Sequence, residues 1–291
     1  MAGAACTQGV DTGFVALGYS KVAVLGVVQG ITELLPISST AHMRVVPALL
    51  GWQDPGSAFS AAMQLAALGA VVAYFWRDVS NLVFGAASGL VRMDFGNRDL
   101  RFAIYIALAT IPIVLGGVFL KDMLNACGSP LRSLNVIGIA CVVMAVLLAL
   151  AEISARHIRN YEDMTLKDAL LVGLAQVGAL IPGVSRSGST LTAALFLGFK
   201  REEAARFSFL LGLPAIAAAG IKELYELHKV GLNAHGWSVL GVGLAVGTVS
   251  AFIAIFGLMR ILERFSSWPF VLYRAALGGL LLTGVYLGML V

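Results

Sequence analysis

The chain has 291 residues, of which 59% are hydrophobic and only 12% charged, with a formal net charge of +4. Its mean hydropathy is +0.88. A water-facing domain carries about 25% charged residues, so the composition excludes a soluble enzyme, a disordered chain and a nucleic-acid binder, and describes an integral membrane protein.

In chain order, the first twenty residues carry one charge, Asp11, and no basic region. No cleavable signal peptide is expected. Six apolar runs approach the roughly 20 residues that cross a hydrocarbon core: about 58–76, 102–120, 134–152, 207–221, 237–259 and 270–290. Each is predicted to be a helix, because lipid offers the backbone no hydrogen-bond partner. The fourth is short and contains Pro214. The alternation of a β-barrel is absent, so the fold class is all-α and polytopic.

Two further apolar stretches, 22–50 and 168–199, are each broken in the middle by proline and a cluster of Ser, Thr and Gly. Their halves look too short to span. Each reads as a re-entrant helix–loop–helix, an arrangement tolerated at membrane depth where protein or water covers the loop. The three cysteines, Cys6, Cys127 and Cys141, are odd in number and widely spaced, which predicts neither a metal site nor a disulfide framework.

Twelve Lys and Arg residues fall in the loops after spans one, three and five, against six on the opposite side. The positive-inside rule makes the richer side cytoplasmic and turns both termini outward. The two broken stretches also resemble each other. Gln29 and Gln176, like Ser38 and Ser185, are separated by 147 residues, close to half the chain. Each broken stretch precedes three spans. Three is odd, so the second unit, about 166–291, enters from the opposite face to the first, about 20–153. A single membrane domain of two inverted repeats is expected, with both tips meeting near the midplane. Two unrelated proline kinks are the alternative.

The polar residues sit at these tips. Gln29 and Glu33 share a helix face at i and i+4, Pro36 ends the helix, and Ser38, Ser39, Thr40 and His42 follow. Burying an ionisable group there costs at least about 2.5–3.5 kcal/mol. The second tip reads Pro182-Gly-Val-Ser185-Arg186-Ser187-Gly188-Ser189-Thr190. Glycines permit close backbone approach, hydroxyls cap a helix start whose amides attract anions, and the Arg186 fork matches phosphate oxygens. A capped helix whose arginine reaches a carbonyl or Glu33 is the plainer reading. The Gly-Lys-Ser/Thr ending of a nucleotide-binding loop is missing. Arg274 could be a second phosphate contact or an interfacial anchor.

The segments Gly26-Val-Val-Gln-Gly-Ile-Thr-Glu-Leu-Leu-Pro-Ile-Ser-Ser-Thr-Ala-His42 and Pro182-Gly-Val-Ser-Arg-Ser-Gly-Ser-Thr190 resemble the two signatures of the bacitracin-resistance type undecaprenyl-diphosphatases. The likeness extends through Phe207-Ser-Phe-Leu-Leu and the Trp268-Pro-Phe…Tyr273-Arg274 end. It implies hydrolysis of undecaprenyl diphosphate at the outer face of the bacterial inner membrane, with a divalent cation, Mg²⁺ or Ca²⁺. The resemblance places catalysis on Glu33, Ser39, His42 and Arg186. Substrate binding falls to Gln29, Ser38, Thr40, Ser185, Ser187, Gly188, Ser189, Thr190 and Arg274, and the metal to Glu33. Many members carry Glu where this chain has Gln29, and a neutral amide can be neither base nor charged ligand. The nucleophile is left open between Ser39, His42 and water, with Ser39 preferred. The partner is the polyprenyl diphosphate lipid, and a homodimer is compatible with the reading. The acid-phosphatase-type lipid phosphatases are not matched, because no histidine follows Arg186 until His228. A transporter or lipid flippase on the same inverted-repeat scaffold is the competing reading.

Overall fold

A computed structural model describes residues 12–120 and 130–288. Cys6, Cys127 and Lys121 lie outside the described residues, as does the expected end of the last span. The described residues form helices, joined by turns and one isolated bridge between Arg159 and Phe199. In chain order the principal helices are α1 Phe14–Leu34, α2 Ser39–Leu49, α3 Ser57–Tyr74 (hitched at Met63), α4 Arg98–Phe119 and α5 Leu134–Ser154. They continue as α6 Leu166–Val177, α7 Arg186–Phe196, α8 Arg201–Lys229, α9 Ala234–Arg264 and α10 Trp268–Tyr286.

Seven of these helices are long and apolar enough to cross a membrane, one more than expected. The addition is α1. Its apolar run starts at Phe14, ahead of residue 22, and Lys21 alone interrupts it. Gly18, at φ 71, breaks the helical geometry inside that run. The fourth expected span also grows, from 207–221 to Arg201–Lys229, and Pro214 lies within the helix. Charged residues masked its ends: Arg201, Glu202 and Glu203 open it, and His228 and Lys229 close it, the two glutamates and the two C-terminal bases being favourably placed against the helix dipole.

Small residues set how the helices approach. In α1, a Cβ on Gly26 would lie 2.8 Å from the Gly243 carbonyl oxygen, and one on Gly30 would lie 2.4 Å from that of Gly247. Glycines four apart therefore seat α1 against α9, the close-contact device of membrane helices. In α6, a Cβ on Gly173 would lie 2.2 Å from the Ala109 carbonyl oxygen of α4. Gly26 and Gly173 are 147 residues apart. Another extensive pairing is α5 with α10. Gly138 and Gly278 meet at their crossing.

The two broken stretches fold as a pair. Helices α2 and α7 each have 11 residues, and their first residues are again 147 apart. An apolar core that includes Leu34, Ile37, Leu191, Phe207, Phe209 and Leu258 surrounds the region where the two loops meet.

Candidate active site

Each loop turns on a serine in the left-handed region. Ser38 has φ 72 and Ser185 has φ 70. Such a conformation is uncommon for a residue other than glycine and costs on the order of 1–3 kcal/mol. Both serines recover part of that cost as N-caps. The Ser38 hydroxyl accepts from the Ala41 amide at 3.4 Å, and the Ser185 hydroxyl accepts from the Gly188 amide at 3.1 Å. The strained turns swing the next residues, Ser39 and Arg186, to the starts of α2 and α7.

Glu33 joins these two helix starts. Its Oε2 accepts from the Ser39 hydroxyl at 2.5 Å and from the Gln29 amide nitrogen at 3.0 Å. Its Oε1 accepts from Arg186 Nη2 at 3.2 Å, an ion pair with side chains only 5% and 11% exposed. One carboxylate thus touches a hydroxyl nucleophile candidate from one half of the chain and a guanidinium from the other. The Ser187 hydroxyl adds a second link by facing the Glu33 and Leu35 carbonyl oxygens at 3.3 and 3.2 Å.

Arg186 keeps spare capacity. Its Nη1 is buried without a hydrogen-bond partner. It lies where a Cβ on Gly212 of α8 would stand 1.8 Å away, so glycine at 212 is what lets the guanidinium lie there. A buried unpaired donor is costly, and an oxyanion beside it would relieve that cost. The first amides of α7 have no intrahelical acceptor. Ser185 takes up those of Gly188 and Ser189, which leaves those of Arg186 and Ser187 at the helix start.

The other expected binding residues divide. Ser38, Ser185 and Ser187 shape the loops, as described. Thr40 is exposed and faces the Ser38 hydroxyl at 3.4 Å. Ser189 and Thr190 return their hydroxyls to the Arg186 carbonyl at 3.0 and 2.8 Å, and Thr190 also meets Ser208. Both are built into the helix. Gly188 packs against Arg274, whose Nη1 would lie 2.9 Å from an added Cβ.

Arg274 is 1% exposed. It donates from Nη1 to the Pro36 carbonyl at 2.9 Å and from Nη2 to those of Gly183 and Val184 at 2.7 and 3.0 Å. Arg274 clamps the two loops to each other.

His42 donates from Nδ1 to the Ser38 carbonyl at 2.7 Å, and its Nε2 lies 2.6 Å from the Tyr273 hydroxyl. The Ser39 hydroxyl donates to Glu33, not to His42. Sequence reasoning missed Tyr273, Ser208 and Gly212 as parts of this region. Tyr273 precedes the singled-out Arg274, but its partner is 231 residues away and no spacing announces it.

Among the described residues, no three His, Cys, Asp or Glu side chains gather as a metal cluster. Glu33 offers one carboxylate with the Ser39 hydroxyl beside it, while Gln29 turns its amide nitrogen to the same carboxylate. That oxygen set fits a hard cation that takes its remaining ligands from substrate phosphates and water. It does not fit a nitrogen- or sulfur-bound zinc.

The chain is similar to known proteins along most of its length. The family model for bacitracin resistance protein BacA matches residues 22–280. A Mesorhizobium japonicum protein named undecaprenyl-diphosphatase 2 is 72% identical over 262 residues, 90% of this chain and 99% of the relative. An undecaprenyl-diphosphatase of Gloeobacter violaceus is 49% identical over 274 residues, 94% of each chain. One from Trichormus variabilis is 45% identical over 287 residues, 98% of this chain and 90% of the relative.

The two buried arginines should respond differently to substitution. Arg274→Met removes the guanidinium donor from three loop carbonyls, of which Gly183 alone keeps a contact, from the Cys141 thiol, and should destabilise the fold by about 3 kcal/mol, each orphaned group costing about 1–3 kcal/mol. Arg186→Lys strands none and should unfold within a few degrees of the unsubstituted protein. Thermal unfolding in detergent compares them; equal losses would contradict the clamp.

Proposed function

The chain belongs to the bacitracin resistance protein BacA family, and on that premise we propose how its buried site works. The protein hydrolyses undecaprenyl diphosphate to undecaprenyl phosphate and inorganic phosphate, returning the lipid carrier to cell-wall synthesis. The observation that carries the mechanism is Glu33 in contact with both Ser39 and Arg186.

Cleaving a phosphoanhydride demands charge stabilisation and alignment more than elaborate covalent chemistry. The terminal phosphoryl group binds at the start of α7, against the free Nη1 of Arg186 and the Arg186 and Ser187 amides. Ser39 Oγ attacks phosphorus while Glu33 Oε2 takes its proton. The bond from phosphorus to the bridging oxygen breaks, and undecaprenyl phosphate leaves with that electron pair. Glu33, restored by loss of its proton to solvent, then deprotonates a water that attacks phospho-Ser39 and releases phosphate. Gln29 steadies the carboxylate through its amide but cannot replace it as a base.

A divalent cation, Mg²⁺ or Ca²⁺, would be held by Glu33, with water and diphosphate oxygens as its other ligands. When bound, it supplies Lewis-acid neutralisation of the diphosphate. His42 serves as the second titratable group of the site, on the same face of α2 as Ser39 at i and i+3.

We read the scaffold as two inverted repeats. Four observations support this: the shared register of 147 residues in Gly26 and Gly173, the matched strained serines, the equal lengths of α2 and α7, and the exchange of partners. In that exchange α1 packs on α9 while its counterpart α6 packs on α4. With α1 and α2 read as a re-entrant pair beside six crossing helices, the lysine and arginine distribution would turn both termini outward, and we assign the protein to the bacterial inner membrane with its site opening outward. An embedded scaffold lets the prenyl chain stay in lipid while the diphosphate reaches the two loops. The flippase alternative rests on the same repeat but gives no reason for a hydroxyl, a carboxylate and a guanidinium to converge.

Two predictions follow from these assignments. Phosphate release in detergent micelles, where nothing can be transported, should be fast for the unsubstituted protein and abolished by a chelator. It should fall by about 100-fold or more in Arg186→Lys and in Glu33→Gln. The double variant should lose little beyond either single one, because both residues serve one transition state. Near-normal turnover in either single variant removes that residue from the mechanism.

Orientation is tested by labelling intact cells with a membrane-impermeant maleimide, in a background without native cysteines. The exposed positions Lys229→Cys and Arg92→Cys should react and stay silent, respectively. The reverse pattern overturns the topology.

A further inference from the structure

We infer that Tyr273 is a positioning residue for this reaction, acting through His42; the inference rests on the phosphatase reading above. The Ser38 carbonyl can only accept, so the 2.7 Å contact from His42 Nδ1 places a proton on that nitrogen. In the neutral ring Nε2 is then an acceptor. The group that meets it is the Tyr273 hydroxyl at 2.6 Å. The tautomer of a histidine is set by the bond its other nitrogen makes, and here both nitrogens are fixed from different parts of the chain.

The ring plane is fixed as well. The Tyr273 ring lies stacked on His42 with centroids 5.6 Å apart and an interplanar angle of 10°. A flip of the imidazole would break both hydrogen bonds and place carbon atoms where the nitrogens are. Tyr273 itself is anchored by its neighbour. Arg274, one residue on in α10, is clamped to the carbonyls of both loops. The clamp that joins the two loops therefore also sets the height at which the Tyr273 hydroxyl meets His42.

Other surroundings point the same way. His42 is 7% exposed, whereas Tyr273 is 45% exposed. The imidazole is shielded and the phenol covers it from the open side. Removing the hydroxyl alone leaves the stacked ring in place, so Tyr273→Phe should fold normally.

The test compares the unsubstituted protein, Tyr273→Phe, His42→Ala and the double variant, with kcat and KM measured separately on undecaprenyl diphosphate. Outer groups that orient a functional histidine cost about 10–100-fold when removed. Tyr273→Phe should therefore lower kcat about 10–100-fold with KM changed less than about twofold on the same grounds. In the His42→Ala background it should have no further effect, since the residue it acts through is gone. Normal kcat in Tyr273→Phe, or the same fold-loss in both backgrounds, overturns the inference.

A second readout does not depend on turnover. With ¹⁵N-labelled histidine, the His42 ring signals, assigned by their loss in His42→Ala, should report an Nδ1-protonated ring whose bare Nε2 signal moves in Tyr273→Phe as it loses the hydrogen bond from the phenol. An unchanged Nε2 signal in Tyr273→Phe overturns the inference. If the unsubstituted protein released no phosphate, the phosphatase reading would fail, while the ring signals would still decide whether Tyr273 orders His42.

Discussion

One buried carboxylate holds the centre of this protein together. Glu33 sits among helices that otherwise present aliphatic and aromatic side chains, where an isolated charge is strongly disfavoured. It survives there because three donors converge on it: Gln29 from its own helix, Ser39 from the far side of the first loop, and Arg186 from the second half of the chain. Charge neutralisation at this point is also what brings the two loops into register. Removing one partner would leave the others buried and unpaired, a larger penalty than the pair's net contribution. The groups we propose for catalysis and the folding constraint are therefore the same atoms.

The rest of the architecture supplies the precision this arrangement requires. Two serines are held at positive φ so that each helix can begin immediately beside the carboxylate. Arg274 spends its terminal nitrogens on three loop carbonyls, so both loops are tied to α10 as well as to each other. Glycines at 26, 30 and 173 remove side chains where α1 and α6 must lie against α9 and α4. Chemistry that tolerates little misplacement rests on packing that leaves the loops few alternatives.

Much of this was legible in the sequence, and the reasons differ by feature. Apolar runs revealed most spans, because lipid forces long helices to be continuously apolar. The helix from Phe14 runs further than its apolar pattern suggested, because Lys21 interrupts that pattern inside the helix. The convergence of Glu33, Ser39 and Arg186 could be anticipated, since polar residues inside a membrane segment need partners and the other polar tip was the evident source. Arg274 could be noticed but not assigned, because its acceptors are backbone carbonyls and any sequence provides those. Tyr273 was invisible as a site residue: an aromatic one position before an arginine reads as an ordinary interfacial side chain. Gly212 and Ser208 lie in an apolar helix and matter only through what packs on them.

The account makes Ser39 the group that first receives the phosphoryl, because its hydroxyl lies 2.5 Å from the base that would activate it. Two successive displacements at phosphorus preserve its configuration, whereas direct attack by water inverts it. The most direct measurement uses undecaprenyl diphosphate whose terminal phosphorus is made chiral by sulfur and oxygen isotopes, turned over in isotopically labelled water. Retention of configuration in the released thiophosphate is the predicted result. Inversion would contradict the account, leaving Glu33 to activate water directly and Ser39 to do no more than hold the carboxylate in place.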